Sequence, residues 1–241
     1  MTILAALLVA GIGLLIGTVG LGGFLMVPVL MFMEGVTVRQ AVVVAAVAFL
    51  AAGVASLALW RRGAPGDARP YRAFLGAAAP GAIIGALAVG ALMDSVLTIL
   101  IAAAFLVAGI AEWLGWPRTV QERPVNIAQA TAGGVATGFA SALTGTSGPM
   151  VAMPLLAWAG LPTRERIALG QVAQIPIALG ATLAFASFGE VPWLLAAWCS
   201  VALCIGLVAG AFVTRSMQTS WLRRVAAVLM VGAAASMIVK L

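Results

Sequence analysis

Thr18-Val19-Gly20-Leu21-Gly22-Gly23, continuing through Phe24 to Val27 and on to Pro28-Val29-Leu30, breaks the first apolar segment of a chain of 241 residues. A second break lies 126 residues further on: Thr144-Gly145-Thr146-Ser147-Gly148-Pro149, then Met150 to Met153, then Pro154-Leu155-Leu156. In this register Thr18 aligns with Thr144, Gly22 with Gly148, Pro28 with Pro154 and Leu30 with Leu156. Each copy sets helix-breaking residues inside an apolar stretch. Hydrocarbon offers the backbone no hydrogen-bond partners, so a broken helix is tolerated at membrane depth only where it is buried in protein or lines a cavity. Two Gly/Pro-interrupted segments at matching places in two halves point to the ligand site of a membrane carrier.

Composition places the breaks in a bilayer. The chain is 63% hydrophobic and only 8% charged, where a soluble domain carries about 25% charged residues. Apolar runs of about 20 residues, the length that spans a bilayer, recur from end to end. This excludes an ordinary soluble domain and predicts an all-α polytopic membrane protein. The net charge of +6 is carried by short loops between apolar runs, where basic residues orient spans; no nucleic-acid partner is expected. Met1-Thr2-Ile3 lacks the basic start of a signal peptide, so no cleavage is expected. Cys199 and Cys204 lie in one apolar run, and the chain has no histidine and no CxxC; both read as small apolar residues, with no metal and no cofactor.

Residues 3–33 form the first interrupted segment, followed by expected spans at 38–60, 73–92 and 95–115, with a loop at 61–72. The second interrupted segment covers 126–160, followed by spans at 167–186, 191–213 and 222–240. Gly81-x-x-x-Gly85-Ala86 returns as Gly206-x-x-x-Gly210-Ala211, a pattern that lets helix backbones approach closely. The chain therefore reads as two four-segment repeats: 1–116, a cytoplasmic linker at 117–125, and 126–241.

Charge chooses between two topologies. If each interrupted segment crosses once, the repeats are parallel and six of the 13 basic residues face outward. If each is a re-entrant hairpin, the repeats are inverted. Arg61, Arg62, Arg69, Arg72, Arg118, Arg123, Arg164, Arg166, Arg215, Arg223 and Arg224 are then cytoplasmic, with only Arg39 and Lys240 outside. The second arrangement obeys the positive-inside rule. The pieces 3–16 and 24–33 are also too short to cross about 30 Å at 1.5 Å per residue. The expected fold is a pair of inverted repeats, each starting with a Gly/Pro-broken re-entrant helix.

The candidate substrate-binding residues are Thr18, Gly20, Gly22, Gly23, Thr144, Gly145, Thr146, Ser147, Gly148, Gln171 and Gln174. Ser147 or Gly148 suits an N-cap and Pro149 the first helical position. Gly22 and Gly23 hold the same place in the first copy. Two half-helix N-termini aimed at the protein centre would each bring free N–H groups and about half a unit of positive charge, an anion site without a charged side chain. The threonines and Ser147 would add hydroxyl donors. Gln171 and Gln174 share one face of a span, and Gln174 precedes Ile175-Pro176; an interhelical hydrogen bond is as good a role for them as substrate contact. The alternative for the breaks is packing glycines and kinks, which does not account for their duplication. No Asp, Glu, Lys, Arg or His falls at the centre of a span; Glu112, beside Trp113 and Trp116, reads as interfacial. A proton relay thus has no evident carrier, and an anion leaving a cell that is negative inside needs no coupling ion.

These motifs resemble the sulfite exporter family TauE/SafE over nearly the whole chain. The resemblance rests on Gly17 to Gly23 with Val27-Pro28-Val29-Leu30, on Trp60-Arg61-Arg62-Gly63, and on the block Gly138 to Pro154. It implies a bacterial inner-membrane carrier, multi-pass, that moves sulfite or an organosulfonate outward. The alternatives are an anion channel or uniporter of the same fold and a non-transporting membrane subunit. An enzyme is not expected, because the parts of metal, Ser-His and aspartyl chemistry are missing. The expected partners are the small anion and the lipid bilayer; a homodimer is one assembly the sequence allows.

Overall fold

A computed structural model describes residues 3–19, 22–33, 35–59, 68–114, 125–189, 191–213 and 219–239. Gly20, the turn 60–63, the linker with Arg118, Glu122 and Arg123, and Arg215 and Lys240 lie outside the described residues, as do the side chains of Glu112, Arg164, Arg223 and Arg224. Helix α1 (Ile3–Val19) ends at the first break, and a 3-10 turn (Gly23–Leu25) leads into the short α2 (Met26–Met31). Then come α3 (Val38–Leu59), α4 (Ala68–Ala91) and α5 (Asp94–Trp113). Helix α6 (Ile127–Thr144) ends at the second break, and α7 (Gly148–Trp158), α8 (Thr163–Ser187), α9 (Trp193–Val213) and α10 (Thr219–Val239) follow. The described residues contain no strand.

Helices α3, α4, α5, α8 and α9 are long and apolar enough to cross a membrane, and α1, α7 and the Ala227–Val239 part of α10 are shorter apolar helices. The outward faces carry exposed Val107, Ile110, Leu194, Ile205 and Phe212, as lipid-facing helices do. The chain is a multi-pass membrane protein. Three helices start earlier than expected from the sequence: α4 at Ala68, α8 at Thr163 and α10 at Thr219. Pro70 lies in the first turn of α4, where a missing N–H costs nothing, so Arg69 and Arg72 are helical instead of lying in a loop. Pro162 caps α8 in extended backbone.

Glycines set the helix pairs. Gly206 and Gly210 of α9 press on the backbone of Ala10 and Leu14 in α1, and Gly13 and Gly17 of α1 press back on Leu203 and Leu207. In the same way Gly81 and Gly85 of α4 meet Val135 and Phe139 of α6, while Gly134 and Gly138 of α6 meet Phe74 and Ala78. A Cβ at any of these eight positions would lie under 3.0 Å from partner backbone. The close-packing role expected for the two GxxxG pairs is what the structure has. The residue numbers rise together along each interface, so the paired helices run parallel.

At the centre, α3 crosses α8. Helix α3 is buried on all sides from Ala41 to Ala46. Helix α7 begins beside Gln174 and Ile177 in the middle of α8, and its Pro149 and Ala152 pack on Gly170. It therefore runs back along α8 toward the start of that helix. Phe24, just after the first break, meets Phe105 of α5 edge-on at 6.1 Å, which anchors the 3-10 turn.

Candidate functional site

Both breaks are built from local backbone chemistry. In the first, the Thr18 hydroxyl donates to the Leu15 carbonyl at 3.1 Å. Gly22 has φ 146° and ψ −23°, a conformation open only to glycine, and its carbonyl accepts from the Leu25 N–H at 3.0 Å. In the second, Gly145 takes the left-handed conformation at φ 61° and closes α6 by donating to Ser141 O; the Thr146 N–H donates to the same carbonyl at 3.1 Å. The Thr144 hydroxyl donates to Ala140 O at 2.6 Å. The Thr144–Thr146 hydroxyl pair, 2.9 Å apart, is therefore donated by Thr146. Ser147 is the N-cap of α7 in extended backbone, but its side chain does not cap. Gly148 takes the first helical position and Pro149 the second, one later than expected; there too an N–H would have no intrahelical partner.

This bookkeeping of protons revises the expected donor set. Thr18, Thr144 and Thr146 have committed their hydrogens within the protein. The Ser147 hydroxyl, 1% exposed, has no hydrogen-bond partner.

The two breaks meet. A Cβ on Gly23 would stand 2.5 Å from Cβ and Oγ of Ser147 and 2.9 Å from Cζ of Phe49. One on Gly145 would stand 3.2 Å from Cα of Val42 on α3. One on Gly148 would stand 3.3 Å from the Gln174 nitrogen and the Gly170 oxygen on α8. Gln174 spans the central crossing: its Nε2 donates to Phe49 O at 3.2 Å, and its Oε1 has no partner. Gln171 is fully buried on the same helix face.

A small cavity of about 10 Å3 lies at this junction, lined by residues that include Phe49 of α3, Ser141 of α6, Gly145, Thr146 and Gly148 of the second break, and Gln174. That is room for one water. Thr18, Gly22, Gly23, Thr144, Ser147 and Gln171 do not line it, although Gly23 packs on Ser147. The lining therefore draws on the second break more than on the first. Every buried polar residue described is Thr, Ser or Gln, and none is charged. The N-terminus of α7 supplies the local positive field, about half a unit.

Ser141 and Thr137 were not singled out from the sequence. Both are buried and their hydroxyls lack partners. Hydroxyls in apolar helices usually donate to the carbonyl one turn back, as Thr131 does to Ile127 O at 2.9 Å and Ser200 to Ala196 O at 2.7 Å. Ser141 and Thr137 do not. Their spacing of four residues, which puts them on one face of α6, was the available signal.

A family model described as "Sulfite exporter TauE/SafE" matches residues 3–237. No curated protein and no solved structure matches the chain.

Proposed function

Since the chain belongs to the sulfite exporter TauE/SafE family, a family of membrane transporters, we propose that it carries sulfite or an organosulfonate outward across the bacterial inner membrane by alternating access around the two breaks. The observation that carries this reading is the meeting of the breaks: Gly23 against Ser147, beside Gln174 at the α3–α8 crossing. There, the unpartnered hydroxyl of Ser141 and the N-terminus of α7 border a small space without any charged side chain among the described residues. Neutral donors and glycine backbone suit an anion that must be held and then released. The space at the junction, about 10 Å3, is too small for a sulfur oxyanion, which favours a carrier that must rearrange over an open channel.

The proposed architecture is a pair of inverted repeats, 1–116 and 126–241, joined by 117–125. Its support is the pairing pattern. Exchanging the halves turns α1 on α9 into α6 on α4, and α3 on α9 into α8 on α4, while α3 on α8 and α5 on α10 map onto themselves. Helices α6 and α7 enter and leave beside the start of α4 and α8, a re-entrant path, and the positive-inside count places that side in the cytoplasm. Rocking one repeat against the other would expose the junction to each side in turn.

The test is uptake of radiolabelled sulfite, sulfate and a sulfonate into proteoliposomes, with an imposed potential and no ion gradient. Saturable flux that follows the potential is expected. Gly22→Leu and Gly148→Leu should abolish it while the protein still inserts, because Gly22 has φ 146° and Gly148 abuts the backbone of α8. Normal flux from both variants overturns the site.

A further inference from the structure

A pocket of about 430 Å3 opens at the end of the bundle where α3 and α5 begin and α4 ends. Its walls include Val43, Leu87, Val89, Phe185 and Phe188, and Arg39 is the one charged residue in its lining among the described residues. Two helix faces carry it toward the central cavity. On α3, Arg39 and Val43 line the pocket, while Ala46 and Phe49 line the cavity. On α8, Phe188 and Phe185 line the pocket, while Ala181 and Ala178 line the cavity. Along each helix the last pocket residue and the first cavity residue are three or four apart, one turn or about 5–6 Å. Val43 and Phe185, at that boundary, are 2% and 3% exposed.

Arg39 is held in place by two backbone carbonyls and one carboxylate. Its Nη1 donates to Gly90 O at 3.1 Å and its Nη2 to Leu92 O at 2.8 Å, at the end of α4. These bonds fix the guanidinium without cancelling its charge and leave it further donors. Asp94, half-exposed, forms a salt bridge with Nη2 at 3.4 Å, and is the carboxylate with which an incoming anion competes. The apolar walls lower the local dielectric and strengthen the pull of Arg39 on an anion.

We propose that this pocket is a vestibule and second anion site, with Arg39 as its binding residue and Phe185, together with Val43, as the closure between it and the central cavity. Its ligand class is a small anion, and the apolar walls accommodate a short alkyl tail. The proposal rests on the transport reading for its physiological direction but not for its test.

The test is thiol labelling of the full-length protein in proteoliposomes, after Cys199→Ala and Cys204→Ala. Ala91→Cys places a thiol in the pocket lining. It is reacted with the anionic sulfonatoethyl and the cationic trimethylammonioethyl methanethiosulfonate. The anion-to-cation rate ratio is expected to fall by about tenfold on Arg39→Gln, as the loss of one nearby charge in a partly screened pocket predicts. Arg39→Lys should preserve the ratio, and methanesulfonate should slow the labelling. In a second arm, Ser141→Cys, which places a thiol in the cavity lining, should be unreactive from the Arg39 side and become reactive on Phe185→Ala. A ratio indifferent to Arg39→Gln overturns the binding site, and continued protection of Ser141→Cys with Phe185→Ala overturns the closure. Flux from the parent with unselective labelling sinks the vestibule alone; selective labelling without flux sinks the transport reading and keeps the pocket.

Discussion

Gly23→Ala tests the meeting of the two breaks most directly. The added methyl would sit 2.5 Å from Cβ and Oγ of Ser147 and 2.9 Å from Cζ of Phe49. Ordinary carbon contacts lie at about 3.5–4.0 Å, so the tips must separate by about 1 Å. Overpacking of this kind costs about 1–3 kcal/mol. Each 1.4 kcal/mol is about a factor of ten in an equilibrium, so the closed arrangement should lose roughly 5- to 150-fold in population relative to open ones. For a chain of this size, about 2–4 °C per kcal/mol puts the drop in melting temperature in detergent at roughly 2–12 °C, with flux falling alongside. Ser147→Gly removes the two nearest of the three clashing atoms and leaves Cζ of Phe49. Measured as a double-mutant cycle on melting temperature, the pair should couple, with Ser147→Gly recovering most of the loss. A Gly23→Ala protein as stable and as active as its parent would refute the meeting of the tips. A loss that Ser147→Gly leaves untouched would place the damage elsewhere.

Gly138→Leu and Gly206→Leu should each separate a helix pair, because their Cβ positions fall under 3.0 Å from Ala78 and Ala10 backbone; loss of monodisperse protein in size-exclusion chromatography is the expected readout. Gln174→Leu removes the hydrogen bond to Phe49 O that joins α8 to α3, a net loss of about 0.5–1.5 kcal/mol; a lower melting temperature together with reduced flux is expected, and unchanged values for both would show that the amide is idle. An uncoupled carrier of a singly charged anion should reach an accumulation ratio of about 50 at 100 mV, since one charge gains about 2.3 kcal/mol per 100 mV; a ratio well above that, or none until a proton or sodium gradient is added, would reveal a coupling ion.

Much of the site was legible because its signals are local. Glycine and proline at Gly22, Gly145 and Pro149 break helices through their own backbone geometry, wherever they stand. Gly81 with Gly85 and Gly206 with Gly210 announce close packing through spacing alone. The opposing glycines, Gly13 with Gly17 and Gly134 with Gly138, show the same spacing and were legible in principle. The use of each hydroxyl was not. Thr18, Thr144 and Thr146 donate inside the protein while Ser141 and Ser147 have no partner, and that difference depends on rotamers set by packing. The pocket at Arg39 was hidden as well, because its walls come from three helices far apart in the chain.

The sequence by itself determined the solvent and the punctuation. Its low charge and long apolar runs require a bilayer, and a bilayer requires helices whose breaks are sheltered by protein. The tertiary structure decided which surfaces meet. It paired α1 with α9 and α6 with α4, set Gly23 on Ser147, and left at the junction a space the size of a water. Helix and break depend on residues within four positions of each other. Partner choice depends on the fit of whole surfaces separated by up to about 200 residues, and no local pattern of residues carries that shape.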